Sequence, residues 1–199
     1  MQRNWPDTQV RGEIREFNRE FLELLCEDCS PGAAFGLASP VRQRLRLLAP
    51  AQRASIAETP CLLASFSLLP PRPATWPAPR PAPREVADAP VPAARAAQAD
   101  AARLFAASLL VWLWHTARDD RLLAALCIGP GRLGVDHLSS AGFRELQRTA
   151  AGAADCLEAR FCRNLRLWPD LVRAASSSDG QLLTATRLSI VQLTLVSRD

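Results

Sequence analysis

Apolar residues recur at helical spacing along most of the chain, separated by clear breakers. Ile14, Phe17, Phe21, Leu24 and Leu25 share one face, with Arg and Glu between them. Asp7 or Thr8 can cap this first helix, and Ser30-Pro31-Gly32 ends it near Cys29. Ser39 then reads as an N-cap with Pro40 at the first helical position, and the helix runs through Val41 to Leu48. Ala49-Pro50 restarts a helix to about Thr59, and Pro60 closes it. Leu62 to Leu69 is apolar and short enough to be extended. Helical signals return from Ala94. Ala101 to Arg118 predicts a long helix whose apolar face holds Leu104, Ser108, Val111, Leu113 and Trp114. Shorter helices follow over Asp119–Ile128 and Ser140–Thr149, the last capped by Ser139 or Ser140, with a short segment over Val135–Leu138 between them. Trp168-Pro169-Asp170 starts another turn, and Leu182, Leu183, Thr186, Ile190, Leu193 and Val196 predict a closing helix. The expected fold class is all-α, with one short extended piece per repeat.

The repeat is carried by two segments. Cys61-Leu62-Leu63-Ala64-Ser65-Phe66 recurs as Cys156-Leu157-Glu158-Ala159-Arg160-Phe161, identical at four of six positions. Upstream, Leu48, Ala51, Ile56 and Thr59 answer to Leu138, Ala141, Leu146 and Thr149, and one insertion near 150–154 reconciles the spacing. Between the copies, residues 69–98 hold most of the 16 prolines. Such a stretch cannot sustain helix or sheet ladders and reads as an extended tether. The expected organisation is a first helical repeat over 1–68, a Pro/Ala-rich linker over 69–98, and a second repeat with a closing helix over 99–199. A repeat of this kind can bury its apolar face against its own copy, as a pseudo-dimer within one chain. Phe17, Phe21, Leu25, Val111 and Trp114 are the candidates for that interface.

Composition adds less. The 199 residues suffice for one large domain or two small ones. All 24 basic side chains are Arg, and Lys and Tyr are absent, which fits coding bias better than chemistry. A net charge of +4 with both signs interspersed permits contact with nucleic acid without demanding it. Six cysteines follow a polar N-terminus (Asn4-Trp5-Pro6-Asp7), so a secretory leader and a disulfide framework are not expected, and the reading is cytoplasmic. The apolar run Phe105–Trp114 is about half a membrane span and reads as a buried helix, with no membrane association.

Candidate chemistry is sparse. Gly129-Pro130-Gly131-Arg132-Leu133-Gly134, with Asp155 beyond it, has the letters of a dinucleotide fingerprint. Its context fails, because a helix precedes it and Pro130 removes a donor that phosphate would need. Cys26 and Cys29 have metal-ligand spacing, but a closed zinc site takes four ligands and no second such pair exists. His115 and His137, the only histidines, lie in no nucleophile motif, so the chain reads as non-enzymatic and free of cofactors. Two arginine groups can meet phosphate: Arg42, Arg44, Arg46 and Arg53, then Arg160, Arg163 and Arg166. Arg42 and Arg46 share a helix face; Arg44 does not.

The stretch from about 13 to 68 resembles the bacterial flagellar transcriptional regulator FlhD family. Phe35-Gly36-Leu37 stands at the family's turn. Leu48, Gln52, Ile56, Ala57, Glu58 and Thr59 stand on its second segment, and Leu62, Leu63 and Phe66 on its apolar run. A second copy from about Leu104 keeps Asp119, Ala124-Ala125-Leu126, Leu138, Leu146, Thr149 and Phe161, then Leu171 and a closing helix over Asp179–Leu193. The resemblance implies an all-α, pairing regulator of flagellar gene expression that meets DNA together with an FlhC-like partner protein. In the family, the zinc and much of the DNA contact belong to that partner. The family's usual thiol position is Ala64 and Ala159 here, so its interchain disulfide is not available. The alternative is a helical interaction module without DNA, such as a secretion or flagellar accessory protein.

Overall fold

A computed structural model describes residues 7–27, 35–66, 93–128, 134–177 and 179–196. The chain is mostly helical. Its elements, in order, are α1 (Thr8–Cys26), α2 (Ser39–Leu47), α3 (Pro50–Ala57), β1 (Ala64–Phe66), α4 (Ala93–Asp119), α5 (Arg121–Ile128), α6 (Val135–Ser140) and α7 (Phe143–Gly152). A 3-10 turn over Ala153–Cys156, β2 (Leu157–Ala159), α8 (Leu167–Ser176) and α9 (Gly180–Val196) complete it.

Helix starts follow local chemistry, with two shifts. Asp7 stands at the N-cap of α1, and its carboxylate accepts from the N–H of the first helical residue, Thr8, at 2.6 Å. α2, however, takes Ala38 as N-cap and includes Ser39 in its first turn. Proline is tolerated anywhere in a first turn that has no N–H acceptor to lose, so the helix starts one residue early. α7 is capped by Gly142, while the Ser139 and Ser140 hydroxyls bond back to Asp136 and His137 inside α6. α4 begins at Ala93, so the last few residues of the expected linker are helical; 67–92 lie outside the described residues.

α4 is the hub. It packs against α1 on one side and against α5, α6, α7 and the 3-10 turn elsewhere. Its buried face is Phe105, Ala106, Leu109, Leu110, Leu113 and Ala117. The expected face holds at Leu113, which is buried, and fails at Leu104 and Val111, which are 71% and 37% exposed. Both sides of this helix are apolar, so periodicity alone could not select one. By length and hydropathy, Ala96–Asp119 is also long enough to cross a membrane, more than the Phe105–Trp114 run implied. In this fold the buried face listed above belongs to one core that also takes in Ile14, Phe21, Leu45, Ile56, Leu146, Trp168 and Ile190.

Besides the packing of α1 on α4, further contacts tie early and late parts of the chain. β1 and β2 pair antiparallel, with Ala64 opposite Ala159, Ser65 opposite Glu158 and Phe66 opposite Leu157. The ladder is extended by Arg160 N–H donating to Leu63 C=O at 2.7 Å. α8 rests on α2 and α3, and α9 rests on α8. Beside the ladder, Phe35 and Gly36 turn with φ of 44° and 75°, and Phe35 C=O accepts from Ala159 N–H at 2.7 Å. A Cβ at Gly36 would stand 2.9 Å from Cys162 Sγ. Gly36→Ala therefore meets both a left-handed backbone and a clash, and should cost about 1–3 kcal/mol in urea unfolding. Adding Cys162→Ala should recover part of that loss; an additive double variant would show that the thiol is not the obstacle.

Candidate functional site

The expected interface residues divide. Phe17 stands edge-on to Phe105 at 6.1 Å and tilted to Trp112 at 5.5 Å, and Phe21 stacks on Phe105 at 5.7 Å. Trp112 Nε1 donates to Glu13 Oε2 at 2.7 Å, closing the same seam with a polar contact. Leu25 is fully buried in the core. Val111 does not take part, because it faces outward. Trp114 turns away from α1 and donates to Ala141 C=O at 3.0 Å, with Arg118 over its ring. The α1–α4 seam is thus an aromatic cluster built from Phe17, Phe21, Phe105 and Trp112.

The expected phosphate-binding arginines divide too, and the largest correction is Arg160. It is 4% exposed, and its guanidinium donates to Cys127 C=O at 3.1 Å and Leu126 C=O at 2.8 Å. These carbonyls end α5, where the helix dipole is negative and no intrahelical donors remain. Arg160 is a helix clamp and has no surface to offer DNA. Arg46 reaches Glu27 C=O at 2.6 Å, at the end of α1, and Arg53 reaches Leu48 C=O at 2.9 Å, at the end of α2. Arg187 on α9 does the same for Ser55 C=O in the last turn of α3. Four arginines therefore stop four helices. Arg42 is half-buried, and Arg44, Arg163 and Arg166 remain exposed. Trp168, which could have stacked on a base, is 1% exposed and donates to Arg160 C=O at 2.8 Å.

Polar burial elsewhere is concentrated on Asn18. Its amide nitrogen lies within 3.2, 3.1 and 3.0 Å of the carbonyls of Ala57, Thr59 and Cys61, and its oxygen accepts from Leu63 N–H at 2.8 Å. One side chain of α1 thus holds the whole turn between α3 and β1. The signal was present in the sequence: Asn18 interrupts an otherwise apolar stripe of Ile14, Phe21 and Leu25.

Among the described residues, burial raises the pKa of every thiol. Burial pushes Cys127 up to about 12, against the opposing pull of Arg160, and raises Cys61, which also hydrogen-bonds Thr194 on α9. Cys61 is buried, whereas its counterpart in sequence, Cys156, is half-buried, so the two are not packed alike. Among the described residues no cluster of three or more His, Cys, Asp or Glu could hold a metal ion. Cys29 and 129–133 lie outside them; Gly134 caps α6. His115 is exposed on α4, and His137 lies 3.8 Å from Glu145.

A raised thiol has a defined pH signature. Between its ordinary 9.0 and about 12, the folded chain keeps the Cys127 proton that the unfolded chain loses. Stability should therefore be full below pH 9 and fall above it, by about 1.4 kcal/mol per pH unit for each such thiol. Cys127→Ala should flatten that alkaline slope by one proton in unfolding measured across pH; an unchanged slope would contradict the burial of the thiol.

Comparison of the chain with protein-family models, curated proteins and solved structures finds no match.

Proposed function

We propose that the chain is an FlhD-like regulatory assembly subunit whose two helical repeats pair within one polypeptide. The observation that carries this reading is the register of the β ladder. Ala64 and Ala159 occupy the same position in the two Cys-Leu-x-Ala-x-Phe segments, and they face each other. Ser65 opposite Glu158 and Phe66 opposite Leu157 step outward from that centre, as an isologous pairing about a two-fold axis requires. The α1–α4 aromatic seam supports the same reading, since each is the long helix of its half. A homodimer of single units buries such a seam between chains; here one chain supplies both sides.

The subunit's work in this reading is protein–protein assembly in the cytoplasm, with promoter contact made together with an FlhC-like partner and no catalytic step. The engagement of Arg46, Arg53 and Arg160 on helix ends favours a small direct share of DNA binding, left to exposed residues such as Arg163 and Arg166. It also sharpens the second reading, a helical interaction module that never meets DNA. A promoter gel shift with the chain alone, the partner alone and both together separates the two. A shifted band that needs both proteins supports the regulator. Partner binding without any shift selects the second reading, and neither partner binding nor a shift overturns the assignment. Arg163→Ala with Arg166→Ala should weaken the shifted complex a few-fold and leave unfolding within about 0.5 kcal/mol of the parent.

A further inference from the structure

We propose that the groove between α2 and α8 docks an acidic amphipathic helix of a partner protein. The open groove has a volume of about 420 Å³. Buried Leu48 and Val172 form its apolar bottom, and Leu47, Arg44 and Arg173 stand around it. Leu47 is 81% exposed at the rim, beside this apolar bottom. The charge around it is mainly positive, with Asp170 the acid paired to Arg173. From Phe35 to Ala57 the sequence contains no Asp or Glu and carries Arg42, Arg44, Arg46 and Arg53. Arg46 and Arg53 spend hydrogen bonds on helix ends, which leaves Arg44 and Arg173 as the guanidinium groups that line the groove. Arg173 contacts Asp170 at 2.9 Å in an exposed pair, and such a pair is weak enough to exchange for an incoming carboxylate.

An apolar bottom flanked by guanidinium groups recognises leucine-type side chains spaced at i, i+3 and i+7 with carboxylates beside them. The nine residues of α2 span roughly 13 Å, which matches two to three turns of a bound helix. Nucleic acid fits less well, because a phosphate backbone gains nothing from Leu47, Leu48 and Val172. The inference rests on the reading of the chain as an assembly subunit and names where one partner would sit.

Fluorescence anisotropy of the full chain tests it, using a labelled 14-residue peptide with Leu at i, i+3 and i+7 and Glu between them. The Glu peptide should bind, and Leu47→Glu or Arg44→Glu should each weaken it by about tenfold or more. Leu165→Glu, at an equally exposed leucine elsewhere, should leave binding unchanged. A Lys-for-Glu peptide should fail to bind. Absent binding, equal binding of the Lys peptide, or indifference to both groove variants would overturn the proposal. So would a labelled 20-base-pair duplex that binds in its place and is lost in the same variants. Self-association seen by sedimentation and abolished by Leu47→Glu would assign the groove to a second copy instead. Circular dichroism and amide exchange of the same variants locate any failure. Intact exchange along α1 and α4 with no peptide binding removes the groove alone, whereas loss of that protection removes the assembly reading.

Discussion

Replacing Asn18 with alanine should lower the unfolding free energy by about 3–5 kcal/mol, the largest effect of any polar substitution in the chain. The side chain is 1% exposed; its two N–H groups are shared among the carbonyls of Ala57, Thr59 and Cys61, and its oxygen accepts from the Leu63 N–H. Alanine leaves those groups buried without a partner, and each buried orphan costs about 1–3 kcal/mol before relaxation. Water entering the gap can recover part of that, which keeps the sum below the simple total. Asn18→Asp is the sharper test, because it keeps the shape and the acceptor while removing the donor. An ionised carboxylate would then face the Ala57, Thr59 and Cys61 carbonyls. Asn18→Asp should be at least as damaging as alanine at neutral pH and should recover as the carboxyl group protonates. Urea unfolding checks both; a loss under about 1 kcal/mol for alanine would show that the turn between α3 and β1 holds itself.

Arg160→Ala should cost about 3–4 kcal/mol, and the cost should survive high salt. A surface arginine lost from a DNA-binding patch would leave stability almost unchanged. Arg160 instead sits among Cys61, Cys127 and the end of α5, and burial pushes its pKa down while the thiols oppose that shift. Among the described residues its charge is answered by carbonyl oxygens and not by a carboxylate, which is why screening should matter little. Arg160→Lys should recover only part of the loss, since an ammonium cannot present the planar pair of donors that reaches both Leu126 and Cys127. Thermal unfolding in low and high salt reads all three chains. A stability loss that disappears with salt, or a loss of DNA affinity with no loss of stability, would restore Arg160 to the surface role that its sequence context first implied.

The helical class was legible because the breakers are explicit: Pro40, Pro50, Pro60 and the Asp7 cap place helix ends within a few residues. The seam through Phe17 and Phe21 was legible for the same reason, as charged neighbours leave only one apolar face on α1. On α4 that contrast vanishes. Leu104 and Val111 are as apolar as Leu109 and Leu110, and only tertiary packing decides which pair is buried. Arginine roles were the least legible. Arg160, Arg163 and Arg166 look alike in a row, yet one is a helix clamp and the others are exposed, because the positive φ of 57° at Phe161 ends the strand between them. No periodicity reports that a side chain will reach a carbonyl 34 positions away.

In the paired-repeat reading the two halves stabilise each other, and the α1–α4 seam is one of the contacts between them. Amide hydrogen exchange of Phe21→Ala measures it most directly, because Phe21 belongs to α1 and its ring stacks on Phe105 of α4. Removing a fully buried Phe ring costs about 3–5 kcal/mol, enough to lower protection wherever the seam is shared. Exchange should become faster in α1–α3 and equally in α4, α7 and β2. Faster exchange confined to residues 7–66, with α4 and α7 as protected as in the parent chain, would contradict it.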